Sequence, residues 1–155
     1  MRRMLMGATL VALTVAGGAG AAMVEQSTAE LLSRASLVIT GEVEKVTSYP
    51  PDSDGIIYSE AEVRLRDTLV GSTVADRVTV RYMGGEDRGL ILVVETEPTF
   101  AEGEGVLLFL APAEGGAYEC PDGAQGKFTL LDGTAFPGGK EVQSFINEIE
   151  AAASR

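Results

Sequence analysis

Glycine and proline punctuation constrains this chain more than any other feature. Of its 155 residues, 19 are glycine and 6 are proline. From residue 25 onward they fall between short segments that are apolar or that alternate apolar with polar. Such spacing predicts a mainly β chain, because strands are short and turns need residues that accept unusual backbone angles. The segments are Leu37 to Val46, Ile56 to Leu69, Arg77 to Tyr82, Leu90 to Val94, Val106 to Leu110, Ala117 to Glu119 and Lys127 to Leu131. In the second, Ala61, Val63, Leu65 and, after a slip, Leu69 share one face. Glu60, Glu62, Arg64 and Arg66 share the other, so one face is wet. Gly41 sits where the first segment changes phase, which marks a bulge or bend. Leu90–Val94 (LILVV) and Val106–Leu110 (VLLFL) are continuously apolar. The first reads as a strand buried on both faces or under a helix, the second as the centre of the core. The stretches 49–55, 98–104 and 133–140 read as loops.

Helices are expected only at the two ends. Ser27 and Glu30 have the spacing of a capping box, and Leu31, Leu32 and Ala35 line a short helix that would plug one end of the sheet. Residues 141–153 carry Val142, Phe145, Ile146 and Ile149 at three- and four-residue steps, an amphipathic stripe. Its polar face lacks the basic residues of a membrane-surface helix, so it is expected to pack on the sheet. The whole suggests a small closed or partly closed barrel with a short N-terminal and a longer C-terminal helix.

The first residues have a different logic. Arg2 and Arg3, an uncharged run from Leu5 to Ala16 and the small residues 17–22 have the order of a cleavable signal peptide. Ala19-Gly20-Ala21 places the expected cut before Ala22, and Gly20-Ala21-Ala22 offers a second one residue later. Residues 1–21 are then the leader and 22–155 a single domain. A retained anchor is the rival reading, weakened by glycine and alanine in the second half of the run. The arginine pair also raises a folded-export route. Removing the leader takes two of the 12 basic residues and none of the 23 acidic ones, so the formal charge of −11 becomes −13. That surface repels nucleic acid and anionic lipid. Cys120 is the only cysteine, so an exported chain would hold together without an internal disulfide.

Several fragments resemble a known group. "AELLSRASLVITGEVEKV", "DTLVGS", "RVTVRYMGG", "PTFAEGEGVLLFL" and "AQGKFTL" occur in the order of the five-stranded OB-type barrel of the tissue-inhibitor-of-metalloproteinases and netrin-like group. More closely, the chain is similar to small uncharacterised exported prokaryotic proteins with a "VVxGxV" strand and a "PxFxxGExxLLFL" unit. Gly41 and Val43 match the first. Pro98, Phe100, Gly103, Glu104 and Leu107 to Leu110 match the second. The resemblance covers about residues 29–131 and implies a fold. The inhibitors of that group chelate a protease zinc through an N-terminal cysteine and are stapled by disulfides. This chain has no cysteine near Ala22, so no functional residue is transferred.

The chemistry the residues allow is narrow. There is no histidine, which removes Ser-His-Asp and Cys-His sites, and a lone soft ligand disfavours zinc. Glu42 and Glu44 share a strand face, as do Glu60 and Glu62, and paired carboxylates are the one route to acid–base catalysis. Asp52-Ser53-Asp54-Gly55 has the opening of a calcium loop, but its twelfth position is Val63 rather than glutamate, so a plain turn is the simpler reading. Gly84-Gly85 and Gly115-Gly116 lack the strand–turn–helix context of a phosphate loop. Neither a metal nor a cofactor is expected. The expected role is an exported, non-catalytic binding module for a protein or small ligand. Tyr49, Asp52, Asp54 and Phe100 are its candidate loop residues, unless the two aromatics fold down as lids on the core. The alternatives are a carboxylate hydrolase and an inhibitor of an exported protease acting through loop 49–55.

Overall fold

The structure is a computed structural model and describes residues 25–155. The expected leader, residues 1–21, lies outside them. The chain is mainly β, 44% strand, with a closed five-stranded β-barrel and two helices. In chain order the elements are α1 (Thr28–Arg34), β1 (Leu37–Ser48), β2 (Tyr58–Val70), β3 (Arg77–Met83), β4 (Gly85–Asp87), β5 (Leu90–Leu92), β6 (Gly105–Pro112), β7 (Tyr118–Glu119), β8 (Lys127–Leu131), β9 (Thr134–Phe136), β10 (Lys140–Glu141) and α2 (Val142–Ala153). The barrel runs β1-β2-β3-β7-β6 and closes when β6 pairs with β1. All its pairings are antiparallel except β3 with β7, which meet in parallel at Val80 and Tyr118. β8, β9 and β10 extend the sheet beyond β6.

Period-two alternation on β6 builds two cores at once. Val106, Leu108 and Leu110 point into the barrel, where they meet Leu37, Ile39, Val43, Val63, Val80 and Tyr82. Leu107 and Phe109 point the other way, onto Leu31, Phe145 and Ile149 of the helices. All five residues of the VLLFL run are 0% exposed. β6 therefore reads as an unbroken apolar run because both of its faces are dry. At about 1.5–3 kcal/mol for each fully buried large side chain, this strand is a major source of stability. Phe109, Phe128 and Phe145 pack edge to face or tilted, with centroids 4.8–6.5 Å apart.

Local signals set the ends of the elements. The Ser27–Glu30 capping box forms in both directions. Glu141 caps α2 by accepting from the Gln143 and Ser144 N–H groups at 3.0 and 2.7 Å. The register of β1 against β2 shifts at Thr40/Gly41 and again between Val43 and Lys45. A Cβ on Gly41 would lie 2.3 Å from the Arg64 carbonyl oxygen. Only glycine lets β2 cross so close to β1 at the bend.

Two expectations fail here. Leu90–Val94 is not a strand buried on both faces. Only Leu90–Leu92 are in strand, paired with β4 alone, and Leu90, Ile91 and Val93 are 60%, 70% and 72% exposed. The position between two dry layers is already filled by β6. The stretch 133–140 is also not a plain loop, since it contains β9 and the start of β10. Asp132 and Gly133, at φ 49° and 75°, make the two-residue turn that pairs β9 with β8.

Candidate binding site

The exposed run belongs to a hairpin that leaves the barrel at the end of β3. Arg88 and Gly89, at φ 47° and 83°, form its two-residue turn, and Asp87 pairs with Leu90 across it. Positive φ at both central residues matches the right-handed twist of the flanking strands. The hairpin is firmly rooted. The Gly84 N–H donates to the Ile57 carbonyl at 2.7 Å. The Ser59 hydroxyl donates to the Gly84 carbonyl at 2.6 Å and lies 2.7 Å from the Ser48 hydroxyl. A Cβ on Gly85 would meet those two hydroxyls at 2.2 and 2.4 Å. On the return limb the Glu97 carboxylate accepts from the Met83 N–H at 3.0 Å, and the Thr96 carbonyl accepts from the Ala124 N–H at 2.9 Å.

Between hairpin and barrel lies a mostly apolar groove of about 280 Å³, with Val46, Tyr82, Met83, Ile91, Val94 and Phe100 among its lining. A larger cleft of about 680 Å³, mixed in polarity, opens across Tyr82 and Met83, towards Arg81, Glu97, Glu114 and Glu119. Its Arg81 guanidinium stacks 4.9 Å from the Tyr58 ring. The smaller groove is the better candidate despite its size. It adjoins the exposed apolar run, and ligand sites are typically apolar with few polar groups. Cys120 lines the larger cleft, but burial, then the nearby Glu97 carboxylate, pushes its thiol up to about 12. It is a thiol rather than a thiolate at neutral pH and makes a poor nucleophile.

The residues singled out in the sequence are placed apart. Phe100 folds down onto the barrel core, with its ring 5.1 Å from that of Tyr82, and it forms part of the groove wall. Tyr49, Asp52 and Asp54 are in the β1–β2 connection and do not line the groove. The Tyr49 hydroxyl donates to Glu60 at 2.8 Å. That carboxylate acceptor raises the phenol above its ordinary value. Asp52 Oδ1 accepts from the N–H groups of Asp54 and Ile56, each at 2.9 Å, so its carboxylate closes a turn. Glu42 pairs with Arg66 at 3.1 Å, and Glu44 bridges Arg64 and Arg77, each at 2.6 Å. These strand carboxylates form an ion-pair lattice on the outside of the barrel.

Glu104 shows why the PxFxxGE unit has its pattern. Gly103, at φ +84°, turns the chain so that its N–H donates to the Val43 carbonyl at 2.7 Å, while Val43 N–H donates to the Glu104 carbonyl at 2.9 Å. The Glu104 carboxylate takes Lys127 Nζ at 2.7 Å, the Ala101 N–H at 3.1 Å and the Thr129 hydroxyl. Burial pushes its carboxyl up, but these donors outweigh it and hold the group below its ordinary value. Lys127 also donates to the Thr99 carbonyl and sits 4.9 Å from the centre of the Phe100 ring. The motif is a clamp that fixes one wall of the groove.

Sequence reasoning missed the hairpin because it assigned the LILVV run to the interior. Gly89, two residues after Asp87 and next to the run, was the available turn signal. No protein-family model matches the sequence, and a comparison with curated proteins returns no match.

Proposed function

We propose that the protein is an exported, non-catalytic binding module of OB-like architecture that engages its partner through the β4–β5 hairpin and the groove beneath it. One observation carries this reading: three large apolar side chains, Leu90, Ile91 and Val93, stand in solvent on a hairpin fixed at both ends. Ile91 and Val93 fall on one face of the run by strand alternation, and both line the groove. Exposed apolar surface continuous with a groove marks an interaction site, and a rigid root lowers the ordering cost of binding. The OB-like assignment draws support from the five-strand order and the parallel β3–β7 pairing. The non-catalytic assignment draws support from Glu42 and Glu44, which are taken up in ion pairs outside the barrel. Export rests on the leader pattern of residues 1–21.

The test compares the wild-type protein with an Ile91→Lys, Val93→Lys double variant, each immobilised and exposed to the exported fraction of the cells that produce it. The reading expects a defined partner on the wild type and its loss from the variant, with equal melting temperatures. Recovery of the same proteins by both would overturn it.

A further inference from the structure

The hairpin offers main-chain hydrogen bonds as well as apolar surface. β4 and β5 form a sheet of two strands only, so the far edge of β5 is unpaired among the described residues. In a two-residue hairpin the residues flanking the turn share hydrogen bonds, and the next pair does not. Asp87 and Leu90 are the flanking pair, and Glu86 and Ile91 the next. Ile91 therefore turns its N–H and C=O away from β4, towards the open edge. Open edges are commonly blunted by lysine, proline or a bulge, but the side chains here are Leu90, Ile91 and Leu92.

The charge around this edge is of one sign. Between residues 84 and 99 stand Glu86, Asp87, Glu95 and Glu97 against the single base Arg88. Arg88 lies 3.5 Å from Asp87, and Glu97 is taken up by the Met83 N–H. The carboxylates of Glu86 and Glu95 have no ion-pair or hydrogen-bond partner among the described residues. The chain as a whole carries a formal charge of −11, which opposes pairing of β5 with β5 of a second copy.

From this combination we infer that the β5 edge accepts an extended peptide segment with an apolar centre and basic flanks, added as a third strand. Main-chain bonds to Ile91 supply affinity. Apolar side chains pack beside Ile91 and Val93, and lysine or arginine at the ends answers the carboxylates. The inference rests on the hairpin being the binding site and adds the chemistry of the occupant.

The test uses the protein as recovered from producing cells and three fluorescent peptides. The first alternates valine and isoleucine, with two lysines at each end. The second has glutamates in place of the lysines. The third keeps the lysines but is N-methylated at alternate central amides, which removes its strand-pairing edge. Binding is followed by anisotropy, with Ile91→Pro as the protein control. Proline at that position removes the outward N–H together with the isoleucine side chain and fixes φ. Ile91→Ala, which keeps the N–H, is therefore measured beside it and should bind more tightly than Ile91→Pro. An unchanged melting temperature shows that the fold is intact. The inference expects the lysine peptide to bind and to weaken as salt rises. It expects each of the other two peptides, and the Ile91→Pro protein, to bind roughly tenfold more weakly or worse, on the scale of a lost hydrogen bond. Equal binding of the lysine and glutamate peptides would overturn it, as would full binding to Ile91→Pro. A dimer in sedimentation that dissociates in Ile91→Pro would assign the edge to a second copy instead. If no peptide binds while the Ile91→Lys, Val93→Lys variant still loses its captured partner, this inference fails and the binding-site reading stands. If capture is unaffected, the site itself is wrong.

Discussion

LILVV and VLLFL are both unbroken five-residue apolar runs, one placed in solvent and the other in the driest part of the molecule. VLLFL enters between β1 and β8, with the barrel on one face and two helices on the other. In LILVV only Leu90–Leu92 pair, with β4, a strand of three residues, and no other strand among the described residues pairs with the far edge. Hydrophobicity thus states a demand for burial without saying which run obtains it. Within the chain the layered position was open to one strand, and β6 took it.

The largest expected effect tests that asymmetry directly. Leu108→Ala should destabilise the protein by about 2–5 kcal/mol, because the cavity forms inside a closed barrel. Ile91→Ala should stay within about 0.5 kcal/mol. Urea denaturation of both variants checks the pair, and similar losses would mean that the hairpin is part of the core.

A smaller effect is expected at the clamp ahead of β6. Glu104→Gln should cost about 1.5–3 kcal/mol at neutral pH, the range for hydrogen bonds to a charged group. Its folded carboxyl titrates below the ordinary value of 4.5. The stabilisation is therefore complete above that value and is lost as pH falls through the lower, folded one. The stability gap between wild type and Glu104→Gln should be constant near neutrality and close on acidification below 4.5. A gap that widens with acid would refute the assignment.

The root of the exposed run should show a smaller loss than either Leu108→Ala or Glu104→Gln. Gly85→Ala places a methyl group against the hydroxyls of Ser48 and Ser59 at positive φ. About 1–3 kcal/mol is expected for the forced shift. Hydrogen exchange should show the loss concentrated in the amides of β4 and β5. Protection lost evenly over the barrel would mean that the hairpin root is continuous with the core.

Much of the barrel was legible along the chain. The wet and dry faces of β2, the phase change at Gly41, the capping box at Ser27 and the stripe on α2 all depend on neighbours within a few residues, and sequence spacing reports such neighbours. The site was less legible. Phe100 was identified, but as one of two aromatics that could point either way. The Tyr49 hydroxyl is bonded to Glu60 of β2, and Asp52 closes a turn in the connection by accepting from the Asp54 N–H. The hairpin went unseen because its exposure reflects what fails to cover it, which no local pattern encodes. The β8–β9 turn carried a legible Asp132-Gly133 signal that the surrounding glycines obscured.

The residue order alone determined that this would be a small acidic β protein with a helix at each end of the fold, no histidine-based chemistry and no internal disulfide. Turn chemistry, alternation and composition are local properties, and local properties survive in one dimension. Tertiary structure alone decided which apolar run became the core and which was left as an open edge. Burial depends on layers brought together from distant parts of the chain, and a strand at the centre of two of them leaves no such place for the other run.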